Sequence, residues 1–157
     1  MDFTGKKVII TGGSRGLGKG IADAFSEVGA DVCVIDLNPS QDHKFVLGNL
    51  SKDEGRIAAF EGAYAALGGV DALINCAGIQ RRHKSEEFPL EDWDAVININ
   101  LTATFRMCQL AARKMLEAGH GKIVNIASML SFFGGYTVPA YAASKGGVAQ
   151  VTKAFAN

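Results

Sequence analysis

The chain has 157 residues, 48% of them hydrophobic and only 3 of them proline, and its 16 Lys and Arg equal its 16 Asp and Glu. That length suits one globular domain spanning residues 1–157, and a neutral chain with interspersed charges lacks the basic footprint that grips nucleic acid or an anionic membrane. No apolar run approaches the roughly 20 residues of a membrane-spanning helix, and the start, MDFTGKK, has no signal-peptide core, so a cytoplasmic protein is expected.

Short apolar runs alternate with segments of helical period, the pattern of a parallel sheet covered by crossover helices. The first predicted strand is Lys7–Thr11, followed by a glycine-rich turn from Gly12 to Gly18. Ile21, Ala22, Phe25 and Val28 then recur at helical spacing until Gly29 stops the helix. A second strand, Asp31–Asp36, follows at once, then a polar loop with Pro39 and a short third strand, Lys44–Leu47. The roughly eight residues between these strands are too few for a crossover helix, so they form a tight irregular connection or the third strand lies elsewhere.

Ser51, with Glu54 three residues on, predicts an N-cap for an alanine-rich helix that runs to Leu67 and is ended by Gly68 and Gly69. Strand four is Ala72–Asn75, and a basic polar loop spans Gln80 to Glu87. Pro89 opens a short helix, and a long helix from about Trp93 or Val96 reaches Ala118. The fifth strand is expected over Lys122 to Ala127, and the last helix from Pro139 to the C-terminus. Cys33, Cys76 and Cys108, odd in number and widely spaced in apolar stretches, read as reduced core thiols. The fold class is therefore α/β, a Rossmann-like doubly wound parallel sheet with helices on both faces. It is expected to be incomplete at the C-terminus, because such sheets continue beyond the switch point.

The first chemical feature is Thr11-Gly12-Gly13-Ser14-Arg15-Gly16-Leu17-Gly18 between a strand and a helix. Glycines there allow a sharp turn, close approach of a pyrophosphate and tight helix packing, while the helix N-terminus offers free N–H groups to the anion. Asp36, at the end of the next strand, suits the two ribose hydroxyls of an adenosine and repels a 2′-phosphate, which favours NAD over NADP. Arg15 pulls the other way, since a guanidinium in the glycine loop suits a 2′-phosphate.

The second feature is Tyr141 and Lys145, four residues apart on one helical face, with Ser128 just past the fifth strand. A Tyr hydroxyl ordinarily titrates near 10, so taking a proton from an alcohol at neutral pH needs a nearby cation. Lys145 would supply it, and Ser128 could hold the reacting oxygen. Taken singly, a Tyr and a Lys at this spacing more often form an amphipathic surface pair.

With Asn75-Cys76-Ala77-Gly78 and Asn98-Ile99-Asn100-Leu101 added to these motifs, the chain resembles the NAD(P)-dependent short-chain dehydrogenases/reductases over essentially its whole length. The resemblance implies a catalytic set of Asn100, Ser128, Tyr141 and Lys145, with the Asn100 main chain holding a water in a proton relay. It implies cofactor contacts from Gly12, Ser14, Arg15, Gly16, Leu17 and Gly18 in the turn, and from Asp36. Asn49 and Leu50 are implied beside the adenine; Asn75, Ala77 and Gly78 after strand four, with Tyr141 and Lys145, complete the set. Cys76 and Asn49 depart from the family pattern, which has Asn and Asp there, and the helix between strands two and three is missing. The family pattern continues for roughly another hundred residues, with two strands and a substrate lid.

Arg81 and Arg82 suit a carboxylate, and His83 a hydroxyl rather than a metal; otherwise the segment is a solvated basic loop balanced by Glu86 and Glu87. With Ser128 and Tyr141 these are the candidate substrate residues. The segments Ile79–His83 and Ser128–Phe132 resemble those of sugar-acid dehydrogenases in the family, implying a small-molecule substrate of the 2-dehydro-3-deoxy-gluconate or gluconate type. Phe105, Met107 and Leu110 are large residues on the alanine-rich long helix, and the family implies a homodimer or homotetramer through the two long helices. The other expectations are a non-catalytic nucleotide-binding fragment, or an NADP-dependent carbonyl or 3-oxoacyl reductase.

Overall fold

A computed structural model describes residues 2–157. Its sheet has five strands, β1 (Lys7–Thr11), β2 (Asp31–Asp36), β3 (Lys44–Leu47), β4 (Ala72–Asn75) and β5 (Lys122–Asn125), in the order β3-β2-β1-β4-β5. Every neighbouring pair is parallel, with Thr11 level with both Ile35 and Asn75. The chain moves outward from β1 to β3 and then returns to the other side of β1, so the order reverses between β1 and β4. The crevice above that reversal is where a doubly wound sheet takes its ligand.

Helix α1 (Gly16–Glu27) covers one face, where Ala22 packs with Val8, Ile10, Val34 and Ile74. Helices α2 (Asp53–Leu67) and α4 (Ala103–Ala118) cover the other, packing Phe60, Ala63, Met107 and Ala111 on Ile9, Cys33, Ile35 and Leu73. The inner strands are therefore buried on both sides, which is why they read as unbroken apolar runs rather than alternating ones. Phe60, fully buried, contributes about 1.5–3 kcal/mol by leaving water. Cys33 and Cys108 are free and buried, and burial pushes both thiols up to about 11. Among the described residues no helix is long and apolar enough to cross a membrane.

The third strand lies where expected, and the connection from Leu37 to His43 is tight and without a helix. Because β3 starts opposite Cys33, the chain must turn back sharply, and charges on α1 pin it. His43 Nε2 sits 2.9 Å from Asp23 Oδ1, and Lys19 bridges Asp23 at 2.8 Å and Asp42 at 3.0 Å.

Three boundaries differ from the sequence reading. Lys52, not Ser51, is the N-cap of α2, with no side-chain cap; Ser51 instead offers its carbonyl to Asn98 Nδ2 at 2.6 Å and to Arg56 Nη2 at 3.3 Å. Strand β5 stops at Asn125 rather than Ala127, because its partner β4 ends at Asn75 and the Ile126 carbonyl turns to Lys145. The short helix expected after Pro89 is α3 (Leu90–Ile97), but the long helix expected from Trp93 or Val96 starts later: a π turn at Asn98–Thr102 follows α3, and α4 begins only at Ala103. Helix α5 (Pro139–Ala156) closes the chain with Pro at its start, where a missing N–H costs nothing.

Candidate active site

A cleft of about 590 Å³ opens at the carboxyl ends of the strands, floored by the glycine turn. Helix α1 starts at Gly16 with Arg15 extended before it and no side-chain cap, so first-turn N–H groups are left for an anion. The turn is forced close: Gly12 has φ +69°, and a Cβ there would lie 2.7 Å from Ala77 Cα. A Cβ on Gly18 would lie 2.1 Å from the Gly12 carbonyl oxygen. Backbone cannot yield as a side chain does, so Gly18→Ala is expected to cost about 1–3 kcal/mol. Thermal denaturation reads this directly, and an unchanged midpoint would show that the turn is not so constrained.

Asp36 ends β2 beside the turn, its Oδ2 accepting from Ser14 N–H at 3.1 Å and its Oδ1 from Asn38 N–H at 3.0 Å. Ser14 Oγ donates to the Asn38 carbonyl at 2.6 Å, so the turn and the β2–β3 connection are joined around this carboxylate. Of the residues expected to contact a cofactor, Arg15, Gly16, Leu17, Asn49, Leu50, Ala77 and Gly78 line the cleft. Two expected contacts do not. Ser14 turns its hydroxyl into the loop, and Asn75 is buried behind the wall, donating to Asn125 Oδ1 at 2.8 Å and to Cys108 Sγ at 3.4 Å. Thr11 Oγ1 holds the wall above it, accepting from Cys76 and Ala77 N–H at 3.2 Å each.

Tyr141 and Lys145, one turn apart on α5, both reach this cleft. Lys145 is 6% exposed; its Nζ donates to the Ile126 carbonyl and lies 5.7 Å from the centre of the Tyr141 ring. Burial pulls its pKa down, while the Cys76 thiol, if ionised, would push it back up. Ser128 caps the short 3-10 turn Met129–Ser131: its Oγ accepts from Leu130 N–H at 3.1 Å and its N–H donates to Ser131 Oγ at 3.2 Å. Because the hydroxyl oxygen is an acceptor there, its proton remains available for another oxygen.

Asn100 sits in the π turn, where Ala103 N–H reaches back to the Asn98 carbonyl. Such single wide turns recur at functional sites. The Asn100 side chain is buried, accepting from Ile79 N–H at 2.8 Å and donating to the Ile79 carbonyl at 2.9 Å and to Ser144 Oγ at 3.2 Å. It faces the wall, not the cleft. Its own carbonyl accepts from Thr104 Oγ1 at 2.8 Å.

The basic loop is less free than its sequence suggests. Asp92 of α3 takes both Arg81 Nε at 3.3 Å and His83 Nε2 at 2.7 Å, and the His83 ring meets Phe88 edge-on. Arg82 is exposed and carries no ion pair or side-chain hydrogen bond among the described residues. Of the expected counter-charges, Glu87 reaches Lys84 of the same loop at 4.0 Å, whereas Glu86 accepts from Tyr136 Oη at 2.7 Å. The cleft is also lined by Leu37, Asn38, Cys76, Ile79, Ile99 and Ile126, which sequence reasoning did not single out as contacts. Leu37, Cys76 and Ile126 directly follow a strand end, the one signal that would have found them.

The short chain dehydrogenase family matches residues 6–157. The chain belongs to that family. It is 44% identical to the 2-dehydro-3-deoxy-D-gluconate 5-dehydrogenase of Bacillus subtilis (strain 168), over 98% of this chain and 65% of that protein. It is 36% identical to the 5-keto-D-gluconate 5-reductase of Escherichia coli (strain K12), over 96% of this chain and 65% of that protein. The crystal structure of gox2181 superposes with a TM-score of 0.92 at 31% identity, covering 99% of this chain and 66% of that one. The chain thus spans a little under two thirds of the length of these relatives. Within the family its parallel sheet is the Rossmann-like arrangement expected from the motif order.

Proposed function

We propose that the chain is the nucleotide-binding and catalytic portion of an NAD-dependent oxidoreductase that interconverts a hydroxyl and a ketone on a sugar acid. The carrying observation is that Tyr141 and Lys145 share one cleft with the glycine turn and Asp36. The cleft suits a dinucleotide: glycines at 12 and 18, where a Cβ would strike Ala77 and the Gly12 carbonyl, let the turn fold tightly at its floor, and the uncapped start of α1 faces it. A bound nicotinamide would supply the hydride acceptor, or in reverse the donor.

In the oxidation direction Tyr141, as phenolate, takes the proton of the substrate hydroxyl. Ser128 donates to that same oxygen and keeps it in place as the adjacent carbon loses hydride. Lys145, buried beside the Tyr141 ring, supplies the cation and can reach a ribose hydroxyl. The Asn100 carbonyl, which accepts from Thr104 Oγ1 at 2.8 Å, would hold the water that continues a proton relay. Arg82, which makes no ion pair among the described residues, would take a substrate carboxylate, while Asp92 holds Arg81 and His83. The names of the two relatives support a sugar acid as the substrate class. Self-association through the long helices belongs to the same proposal. Met107 and Leu110 face the core, but Phe105 on α4 and Phe155 on α5 stay 42% and 37% exposed with ring centres 5.9 Å apart.

The test is a titration of the 157-residue chain with NADH and NADPH by nicotinamide fluorescence, followed by absorbance of the reduced band on adding sugar acids and their keto forms. Saturable NADH binding with turnover is the expected result. Binding without turnover would leave a non-catalytic nucleotide-binding unit, and NADPH-linked turnover of other carbonyls would replace the sugar acid.

A further inference from the structure

One buried cation has no part in that chemistry. Arg56 on α2 is 5% exposed, yet among the described residues no carboxylate accepts a hydrogen bond from it. Asp53, one turn back on the same helix, is taken by Arg106 Nε at 2.9 Å. The Arg56 donors go instead to oxygens from two separate stretches of chain. Its Nε donates to the Leu50 carbonyl at 2.7 Å and its Nη2 to the Ser51 carbonyl at 3.3 Å. The same Nη2 reaches the Asn98 carbonyl at 3.5 Å and Asn98 Oδ1, while Asn98 Nδ2 returns to the Ser51 carbonyl at 2.6 Å.

The two stretches lie at different parts of the cleft. Leu50 lines it next to Asn49. Asn98 begins the π turn, and two residues on, Asn100 grips both backbone groups of Ile79, which lines the cleft beyond Gly78. Asn100 also bonds Ser144, the residue before Lys145. Burying a guanidinium is costly, and an apolar side chain would fill the space at less expense, so its retention points to geometry. Burial does pull the Arg56 pKa down, but a guanidinium stays charged in any protein setting.

We propose that Arg56 is a positioning residue that ties the Leu50–Ser51 wall of the cleft to the π turn and, through Asn98 and Asn100, to Ile79. This rests on reading the cleft as a dinucleotide site, whose two ends the tie would hold in register. The planar fork is essential: a Lys ammonium, a point charge on a flexible stem, cannot hold both stretches at once.

The test uses Arg56→Lys, which keeps the charge, and Arg56→Met, which keeps only the stem. Residue-resolved amide exchange is measured on the unliganded chain, and NADH affinity by fluorescence. Exchange at Ile79 is expected to rise at least about tenfold in both variants while Ile9 and Leu73 in the sheet stay unchanged, with NADH affinity about tenfold weaker. Unchanged exchange at Ile79, an equal rise throughout the sheet, or full retention of wild-type behaviour in Arg56→Lys would overturn the tie. If Arg56→Met does not fold, Arg56→Lys decides alone. A wild-type chain that fails to bind NADH, with Ile79 still responding selectively, would remove the dinucleotide reading and leave the tie standing.

Discussion

Replacing Tyr141 by Phe is expected to lower turnover by about a thousandfold or more, within the range that a positioned acid or base supplies, while NADH affinity stays within about twofold. The substitution removes one oxygen and keeps the ring beside Lys145 Nζ. The Tyr141 carbonyl still accepts from Ser144 Oγ at 2.8 Å, so the start of α5 is undisturbed. Lys145→Met gives the useful contrast. It removes the donor to the Ile126 carbonyl and the charge beside Tyr141, so binding and turnover should fall together. Steady-state rates alongside fluorescence titrations separate the two. Equal loss of binding and turnover in Tyr141→Phe would show a structural role for the hydroxyl, and an unchanged rate would remove Tyr141 from the chemistry.

What the sequence revealed depended on how local its cause was. β1 and β2 were legible because strands buried on both faces are written as β-branched runs, and α2 because Gly68 stops it in the left-handed conformation. The glycine turn and the Tyr141–Lys145 spacing are equally local, and both came to one cleft. The misses were tertiary. Ser51 has the chemistry of an N-cap, but its carbonyl is taken by Arg56 of α2 itself and by Asn98 from the distant π turn. The π turn adds one residue to a helical period, too small a change for periodicity to register, yet it sets Asn100 against Ile79. Asp92 was invisible as the partner of Arg81 and His83 because only the fold of the loop onto α3 brings it there.

Asp36→Asn is expected to swing the preference between NADH and NADPH by about a thousandfold, combining the loss of charge-assisted bonds worth about 1.5–3 kcal/mol each with the removal of a like charge facing a 2′-phosphate. Asp36 suits this part because its two oxygens already take the Ser14 and Asn38 N–H groups, which fixes the carboxylate while leaving lone pairs for ribose hydroxyls. Asn keeps one acceptor for that frame but sets its amide NH2 against the other backbone N–H, so one bond of the frame is lost with the charge. Arg15 then decides how far NADPH gains, for it is exposed at the start of α1 and makes no ion pair among the described residues. Adding Arg15→Ala to Asp36→Asn should take back most of the gain for NADPH and leave NADH nearly unmoved. Dissociation constants for both nucleotides across the three proteins measure this. A preference that does not move in Asp36→Asn would place the ribose away from β2, and parallel weakening of both nucleotides would assign Asp36 to holding the loop alone.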